Sequence, residues 1–529
     1  MIKLSKRNFL KGGAAAAAAA LCGAEAQARP AQLPKSWDIT TDVVVLGYGG
    51  AGACAAITAK DAGAQVMIFE KMEQGGGNTA VSSGGMMIPN DADKAISYLL
   101  KTFDFANSEK DEKQVRAFVA EAMKSKDFLL SLRPEQKLYI YGHAGFQNIP
   151  GAEAIDKWRF RTPKGSKLRG GDVLFSNYRY AVEEVRKIPV TYKARALELI
   201  QENGEVLGAV IEINGQKKTV RAKRAVILAT GGFEFDDVML SNYTMGQKFH
   251  RLGSPGNTGD GIRMAQAAGA DLWHMNALSC PLGVQVPGLK TALQFGMLAP
   301  SYIFVDQDGR RFVNEKFDNH TGVYAVNVLD AVKHRYPRIP CYAVFDEAAR
   351  REGTVVGGAT SGFAINREGY RWSRDNSVEI EKGIVKKAST LEELAKVIGV
   401  PAENLAATVK RWNEQITAGA DKDFGRPIKK KGKAVFEGRD APILARPLGD
   451  GPYYAVALYP SLLNTQGGPR RNGLGQVLNP FKRPIPRLYS AGELGSMWGH
   501  IYQGATNNSE ACVFGRIAGR TAAAEKPWC

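Results

Sequence analysis

The stretch that decides the fold runs from Thr41 to Lys71, TDVVVLGYGGAGACAAITAKDAGAQVMIFEK. Its apolar run Val43 to Leu46 reads as a strand buried on both faces. The run breaks into Gly47-Tyr48-Gly49-Gly50-Ala51-Gly52 and continues as an alanine-rich helical segment. A second apolar strand, Gln65 to Phe69, then stops at Glu70 and Lys71. Gly47 permits a tight turn, Gly49 lets backbone approach a pyrophosphate, and Gly52 lets helix and strand pack closely. The free N–H groups and dipole of the helix start favour an anion there, next to Gly50. Glu70 stands where a ribose diol would donate to it. Strand, glycine loop, helix, strand and acid in this order spell a dinucleotide cradle. A glycine-rich turn of an unrelated parallel sheet would leave Glu70 without a purpose.

Further segments favour FAD over NAD. Glu73 to Met87, EQGGGNTAVSSGGMM, is a second glycine-serine loop placed to run along an extended cofactor. It offers Gly76, Gly77, Asn78 and Thr79, then Ser83, Gly84 and Gly85. Ala225 to Gly232, AVILATGG, is a buried strand that breaks at paired glycines, with Ala229, Thr230 and Gly231 at the break. Thr258-Gly259-Asp260-Gly261 opens the helix GIRMAQAAGA, and Asp260 joins the cofactor candidates. Near the C-terminus, LYSAGELG (Leu488 to Gly495) gives another strand and turn carrying Glu493. A helix over Ser509 to Ala518 follows, with Ser509 facing the cofactor. These distant pieces make sense if both ends of the chain close around one nucleotide.

The chain has 529 residues, enough for two or three packed domains, and its 44% apolar and 23% charged content is that of a globular protein. Lys3, Lys6, Arg7 and Lys11 precede the short apolar run GGAAAAAAALCGA, which ends at the A-x-A site Ala26-Gln27-Ala28. SKRNFLK resembles a twin-arginine export motif with lysine in place of its first arginine; an ordinary secretory signal is the alternative. No other apolar run reaches transmembrane length, so the expected mature chain has no membrane-spanning segment and lies in the periplasm or outside the cytoplasm. Four basic residues and one acid leave with residues 1–28, taking the formal charge from +17 to +14. That excess suits an acidic electron-carrier protein or a membrane surface, or it simply keeps the chain soluble. No basic helix, zinc-ligand spacing or aromatic-basic motif points to nucleic acid. The cysteines form no CxxC, CxxCH or metal-ligand set, so no metal and no attached haem are expected.

GYGGAG, GGGNTAVSSGG, ATGG, TGDG, GRRFVNE, NTQGG and SAGE occur in this order between about Thr41 and Gly519. Together they make the chain resemble the fumarate reductase and succinate dehydrogenase flavoproteins, which include L-aspartate oxidase, urocanate reductase and the 3-oxosteroid dehydrogenases. The resemblance implies an α/β fold: a Rossmann-like FAD-binding domain in two sequence segments, interrupted by an α+β capping domain. Substrate would lie between cap and isoalloxazine. Some members attach FAD through a histidine in the glycine-serine loop; GGGNTA has none, so non-covalent FAD is expected.

The substrate positions implied by the resemblance depart from it in one direction. The proton-donating arginine four residues after the glutamate of GRRFVNE is matched by Asn319, with His320 next. A histidine before proline is matched by Cys280, and the histidine before T-x-G-G by Asn464. The second carboxylate-clamping arginine falls on Tyr502, and a relay glutamate and arginine fall on Phe295 and Leu298. A dicarboxylate entering such a pocket would lose its water and find few countercharges, at several kcal/mol per ion. Charge-assisted contacts of about 1.5–3 kcal/mol each would be missing. The expected substrate is neutral or singly charged and fairly apolar.

Flavin chemistry at a carbon–carbon bond pairs a hydride with a proton at the neighbouring carbon. Tyr502 is the first candidate for the proton or for binding a carbonyl, or else it is an aromatic wall. His320 has the better intrinsic pKa, or is a surface histidine. Tyr324 stands beside it as a third candidate, while His500 touches the flavin or orders Tyr502. Arg310, Arg311 and Glu315 brace the GRRFVNE hairpin by ion pairing.

The organisation expected is signal 1–28, linker 29–40, FAD domain 41–279 with a helical excursion over Lys94 to Leu132, cap 280–455, and completion of the FAD domain by 456–529. Cap helices are expected at Leu391 to Val400 and Ala402 to Ile416, and KKKGK (429–433) reads as a solvated loop. The function expected is an exported FAD-dependent oxidoreductase acting on a C=C or CH–CH bond beside a carbonyl-type group, with reduction favoured. Its electrons would come from a separate cytochrome or quinol-linked protein. The alternatives are a 3-oxosteroid-type dehydrogenase and, from another class, a flavin electron carrier or binding protein without turnover.

Overall fold

The computed structural model describes residues 33–105, 108–244, 249–316, 319–356, 362–429 and 443–528. The signal segment and most of KKKGK lie outside the described residues.

β1 (Ile39–Leu46) is the axis of the first sheet. It pairs in parallel with β2 (Val66–Phe69) on one side and β9 (Gln216–Leu228) on the other. Val43, Val44 and Val45 are fully buried, as strands covered on both faces require. The sheet runs β16 (Gln476–Leu478), β17 (Pro484–Ser490), β9, β1, β2, β6 (Val190–Thr191), and the ribbon β7 (Ala194–Glu202) and β8 (Glu205–Ile213) folds back onto β9. The strand that enters from the far end of the sequence, β17, lies parallel to β9. The C-terminal segment therefore completes the same sheet that the first strands begin.

Helix α1 (Gly50–Asp61) leaves β1 and packs against the final helix, α10 (Thr506–Ala524). A Cβ on Gly515 or Gly519 would come within 2.7 Å of the Ala51 carbonyl or 2.3 Å of the Ala55 carbonyl, so only hydrogens let these helices touch. The last helix is longer than the Ser509–Ala518 the sequence suggests. The excursion after the cradle forms α3 (Ala92–Phe105), α4 (Glu112–Ala122) and α5 (Ser125–Leu132), preceded by the short α2 (Gly77–Val81). A small antiparallel sheet joins β3 (Met86–Pro89), β5 (Ile155–Phe160) and β4 (Leu138–His143), and α6 (Gly171–Arg179) follows it.

Residues from about 282 to 462 build the second sheet. Its order is β11 (Leu293–Gln294), β10 (Leu282–Val284), β15 (Tyr453–Leu462), β13 (Cys341–Asp346), β12 (Tyr302–Val305), with β14 (Val385–Ala388) also on β15. Two separate apolar clusters lie against it. One gathers α8 (Leu391–Ile398) and α9 (Ala402–Thr417), close to the helices read from the sequence. β15 runs through position 455 without a break and reaches back to His250–Arg251 of the first region, which binds cap and flavin regions through a shared strand.

Candidate active site

A cleft of about 370 Å³ follows the carboxyl ends of β1 and β9, and its lining includes Asn464 and Tyr502. Its first wall is the Gly47–Gly52 loop. Gly47 has φ +102, and a Cβ there would overlap the Ala229 carbonyl at 2.4 Å, so residue 47 must be glycine for the two turns to meet. The Tyr48 and Met72 N–H groups donate to the two oxygens of Glu70 at 2.7 and 2.8 Å, fixing that carboxylate at the cleft edge. Burial raises the Glu70 pKa, partly offset by these N–H groups. Lys71 donates to Thr258 Oγ1 (2.6 Å) and Asp260 Oδ2 (2.9 Å), and Arg195 holds the other oxygen of Asp260 at 2.9 Å. Burial works against the Asp260 charge, but Arg195 and Lys71 outweigh it and keep the carboxyl below its ordinary pKa.

Two helix starts open into this cleft. α1 begins at Gly50 and α10 at Thr506, neither capped by the residue before it, although the Gly50 N–H donates to Thr79 Oγ1 at 3.2 Å; Asn507 and Asn508 of α10 line the same space. Uncapped helix starts present N–H groups and a partial positive charge to an anion or a carbonyl-rich ring. Thr230 Oγ1 and both amide atoms of Asn507 are buried in the lining without partners. Orphaned polar atoms along a narrow cleft fit a long cofactor rich in hydroxyls and phosphates, and the fit to FAD is good. Glu70, Lys71 and the Gly47–Gly50 backbone would hold its adenosine and pyrophosphate part. Asn78, Thr79, Thr230, Gly231, Glu493 and Asn507 would hold the rest.

Gly47, Gly49, Gly50, Glu70, Lys71, Gly77, Asn78, Thr79, Ala229, Thr230, Gly231, Asp260 and Glu493 all line the cleft. Gly52 and Gly76 stand behind it: Gly52 approaches the Gly47 carbonyl, and the Gly76 N–H donates to Tyr48 O at 2.7 Å. Ser83, Gly84 and Gly85 do not reach it. A Cβ on Gly84 would meet Gly170 backbone at 2.5 Å and one on Gly85 the Tyr141 hydroxyl at 2.0 Å, so this second glycine pair serves packing. Ser509 is also diverted: its Oγ donates to Ala505 O (2.9 Å) and accepts from the Met87 N–H, tying α10 to β3.

Of the substrate-end candidates, Tyr502 and Asn464 line the cleft. His320 lies behind Tyr502, edge to face at 4.7 Å between ring centroids, with Nδ1 2.9 Å from Ser279 Oγ. Tyr324 pairs with His500 instead, hydroxyl to Nδ1 at 2.9 Å. Burial of its hydroxyl end raises the Tyr324 pKa to about 12 although 45% of the residue is exposed. Two expected substrate contacts are absent from the cleft lining. Cys280 is fully buried in an apolar cluster, and desolvation pushes its thiol well above the ordinary pKa. Phe295 packs edge to face with Tyr302 and Phe304, ring centroids 5.5 and 5.2 Å away, against the cap core. Leu298 is 73% exposed. The side chain of Asn319 lies outside the described residues.

Arg311 grips Glu315 with two hydrogen bonds (2.8 and 2.9 Å) and Asp421 with two more, and Arg426 adds to Glu315 at 3.2 Å. The sequence pointed to Arg311 and Glu315 but missed Asp421 and Arg426. It also missed Glu234, Asn257, Phe363, Arg367, Asn507 and Asn508. Glu234 stands directly after Gly232-Phe233, and Asn507-Asn508 directly after Tyr502–Thr506, so proximity to a turn already identified was the available signal. Arg367 comes from the cap and donates to Asp172 of α6 at 2.7 Å, beside Gly75 to Gly77.

Residues 42–509 match the family described as FAD binding domain. The chain belongs to that family. Residues 3–21 match the twin-arginine translocation pathway signal sequence, so this FAD-dependent oxidoreductase is exported from the cytoplasm. It is similar to a fumarate reductase (cytochrome) of Shewanella frigidimarina, 29% identical over 94% of this chain and 79% of that protein. A 3-oxosteroid 1-dehydrogenase of Mycolicibacterium smegmatis is 26% identical over 90% of this chain and 96% of that protein. A urocanate reductase of Eggerthella lenta is 28% identical over 93% and 76%. Among solved structures, the 3-ketosteroid delta1-dehydrogenase of Sterolibacterium denitrificans shares the fold with a TM-score of 0.78 at 24% identity, over 92% of this chain and 99% of that one. These relatives are FAD-dependent enzymes of CH–CH bonds, and the family member described here is one as well. No helix among its described residues is long and apolar enough to cross a membrane.

Proposed function

We propose that the protein reduces a carbon–carbon double bond beside a carbonyl-type group in a neutral or singly charged, fairly apolar substrate. The supporting observation is that Tyr502 and Asn464 both line the cofactor cleft, whose basic lining residues are Lys71 and Arg367. These two are engaged with Asp260 and Asp172. A dicarboxylate needs two desolvated charges met by two charged donors, and these engaged cations do not supply them. Among the described residues, Lys157 Nζ lies 3.9 Å from where a side chain on Gly504 would begin.

FAD, for which GGGNTA offers no histidine as a point of covalent attachment, would supply the hydride when bound. The protein's part is to place the substrate and handle the proton. Tyr502 donates a hydrogen bond to the substrate carbonyl, which stabilises charge developing on that oxygen. As the hydride adds to the far carbon of the double bond, the phenol proton passes to that carbonyl oxygen. The enol so formed tautomerises to the ketone, and water returns a proton to the phenolate, while His320, edge-on to the ring and bonded to Ser279, orders it. Asn464 offers a neutral hydrogen bond beside it. Tyr324 and His500 form a second pair at the edge. Electrons come from a separate cytochrome or quinol-linked protein, to which the basic surface is complementary. Fed in the opposite direction, the same groups would dehydrogenate a saturated ketone, as the name of the 3-oxosteroid relatives describes.

Spectral titration of the oxidised holoprotein tests the reading. A cyclic enone should perturb the flavin absorbance, and replacing Tyr502 by Phe should weaken its binding by about tenfold, the equivalent of one hydrogen bond. Perturbation by succinate and by no neutral enone would overturn it.

A further inference from the structure

Glu234 and Glu493 come from the two sequence segments of the flavin domain and meet in its interior, 0% and 9% exposed. Asn78 Nδ2 gives one hydrogen to Glu234 Oε1 (2.7 Å) and the other to Glu493 Oε2 (2.8 Å), and Asn257 Nδ2 adds a bond to Glu234 Oε1 at 2.9 Å. The remaining oxygens, Glu234 Oε2 and Glu493 Oε1, are buried and meet no donor from other residues. They converge on Gly232, where a Cβ would lie 2.7 and 2.4 Å from them and 2.1 Å from Thr465 Oγ1. The two carboxyl groups thus share one donor, Asn78, and turn their remaining oxygens toward the same point, where two ionised groups would repel. Ionised carboxylates have only acceptors, so a hydrogen bond between them requires a proton.

We propose that Glu234 and Glu493 share one proton at neutral pH, and that this proton fastens the two segments of the flavin domain together beside the cofactor. Glu493 and Asn78 line the cleft, so the fastening acts on the cofactor's own wall. Glycine at 232 leaves the space in which the oxygens approach. Desolvation raises both pKa values, and for Glu493 the charge of Glu234 adds to it. The groups facing the pair are the uncharged Asn78, Asn257 and Thr465. Arg251 reaches only the Glu234 backbone carbonyl, at 3.0 Å, and also pairs with Asp237. Among the described residues no cation is bonded to either carboxyl group to compensate a second negative charge. Folded pKa values above the unfolded ones mean that the contribution is complete in acid and is lost as pH rises through the raised value. Alkali should then repel the segments and release flavin.

The test uses infrared spectroscopy and flavin fluorescence on the purified holoprotein and its Glu234→Gln variant. The wild type should show a protonated-carboxyl absorption at neutral pH that the variant lacks, because the glutamine amide replaces the shared proton with a fixed hydrogen. Scanned from about pH 6 to about pH 10, the wild type should release flavin as that absorption disappears, and the variant should not. Absence of the absorption in the wild type would overturn the proposal, as would equal alkaline release in both proteins. If the variant fails to fold, the wild-type scan alone still decides. Loss of the absorption and of flavin in one pH range supports the shared proton; flavin release with the absorption unchanged refutes it.

Discussion

His320 stands edge-on to Tyr502, with ring centroids 4.7 Å apart and planes inclined at 74°, while its Nδ1 meets Ser279 Oγ at 2.9 Å. The imidazole thus packs against a phenol that lines the cofactor cleft. Replacing Tyr502 by Phe keeps the ring and removes the hydroxyl. Turnover should fall about a hundredfold or more while flavin content is unchanged, measured as kcat per bound flavin. An unaltered kcat would remove Tyr502 from the chemistry.

Glu70 is pinned by two backbone N–H groups at 2.7 and 2.8 Å. Glu70→Ala loses a charged acceptor for the cofactor's ribose, a contact of about 1.5–3 kcal/mol. FAD should dissociate about ten- to a hundredfold more readily, as read by fluorescence on dilution.

Arg471 and Glu510 form an ion pair with both side chains fully buried, and Arg471 also donates to the carbonyls of Leu494 (2.8 Å) and Gly492 (3.1 Å). The pair braces the turn that presents Glu493. Arg471→Ala strands a buried carboxylate and should cost about 3–5 kcal/mol in urea unfolding, with flavin lost in parallel.

His274 donates from Nδ1 to Ser496 O at 2.8 Å and stacks on Trp273 at 4.1 Å. Desolvation lowers its pKa, with partial compensation from Ser496 and Glu109. A depressed folded pKa means that its contribution is complete above the unfolded value of about 6.5 and is lost as pH falls through the lower folded one. Unfolding free energy should drop as pH falls below about 6.5, and less steeply in His274→Gln.

The cradle from Val43 to Glu70 was legible because strand, turn, helix and acid are neighbours in sequence and each follows from local chemistry. The closure of the domain by the C-terminal segment was legible for the same reason, since Leu488–Gly495 repeats a strand-and-glycine pattern. The Glu234–Glu493 pair was not, because nothing local says which distant carboxyl a buried carboxyl will meet. Ser83, Gly84 and Gly85 resembled a cofactor loop, yet the glycines answer to the backbone of Gly170 and the ring of Tyr141, neighbours set by tertiary packing. Phe295 was assigned by position, and the aromatic residues Tyr302 and Phe304 claimed it for the cap core. Arg311 and Glu315 were read as a brace, but Asp421 and Arg426, which complete it, lie about a hundred residues away.

The most direct test of the central claim is anaerobic mixing of the reduced holoprotein with fumarate and, separately, with a neutral enone, following flavin reoxidation. A site lined by Tyr502 and Asn464 predicts reoxidation by the enone and none by fumarate. Rapid reoxidation by fumarate, with the enone inert, would contradict it.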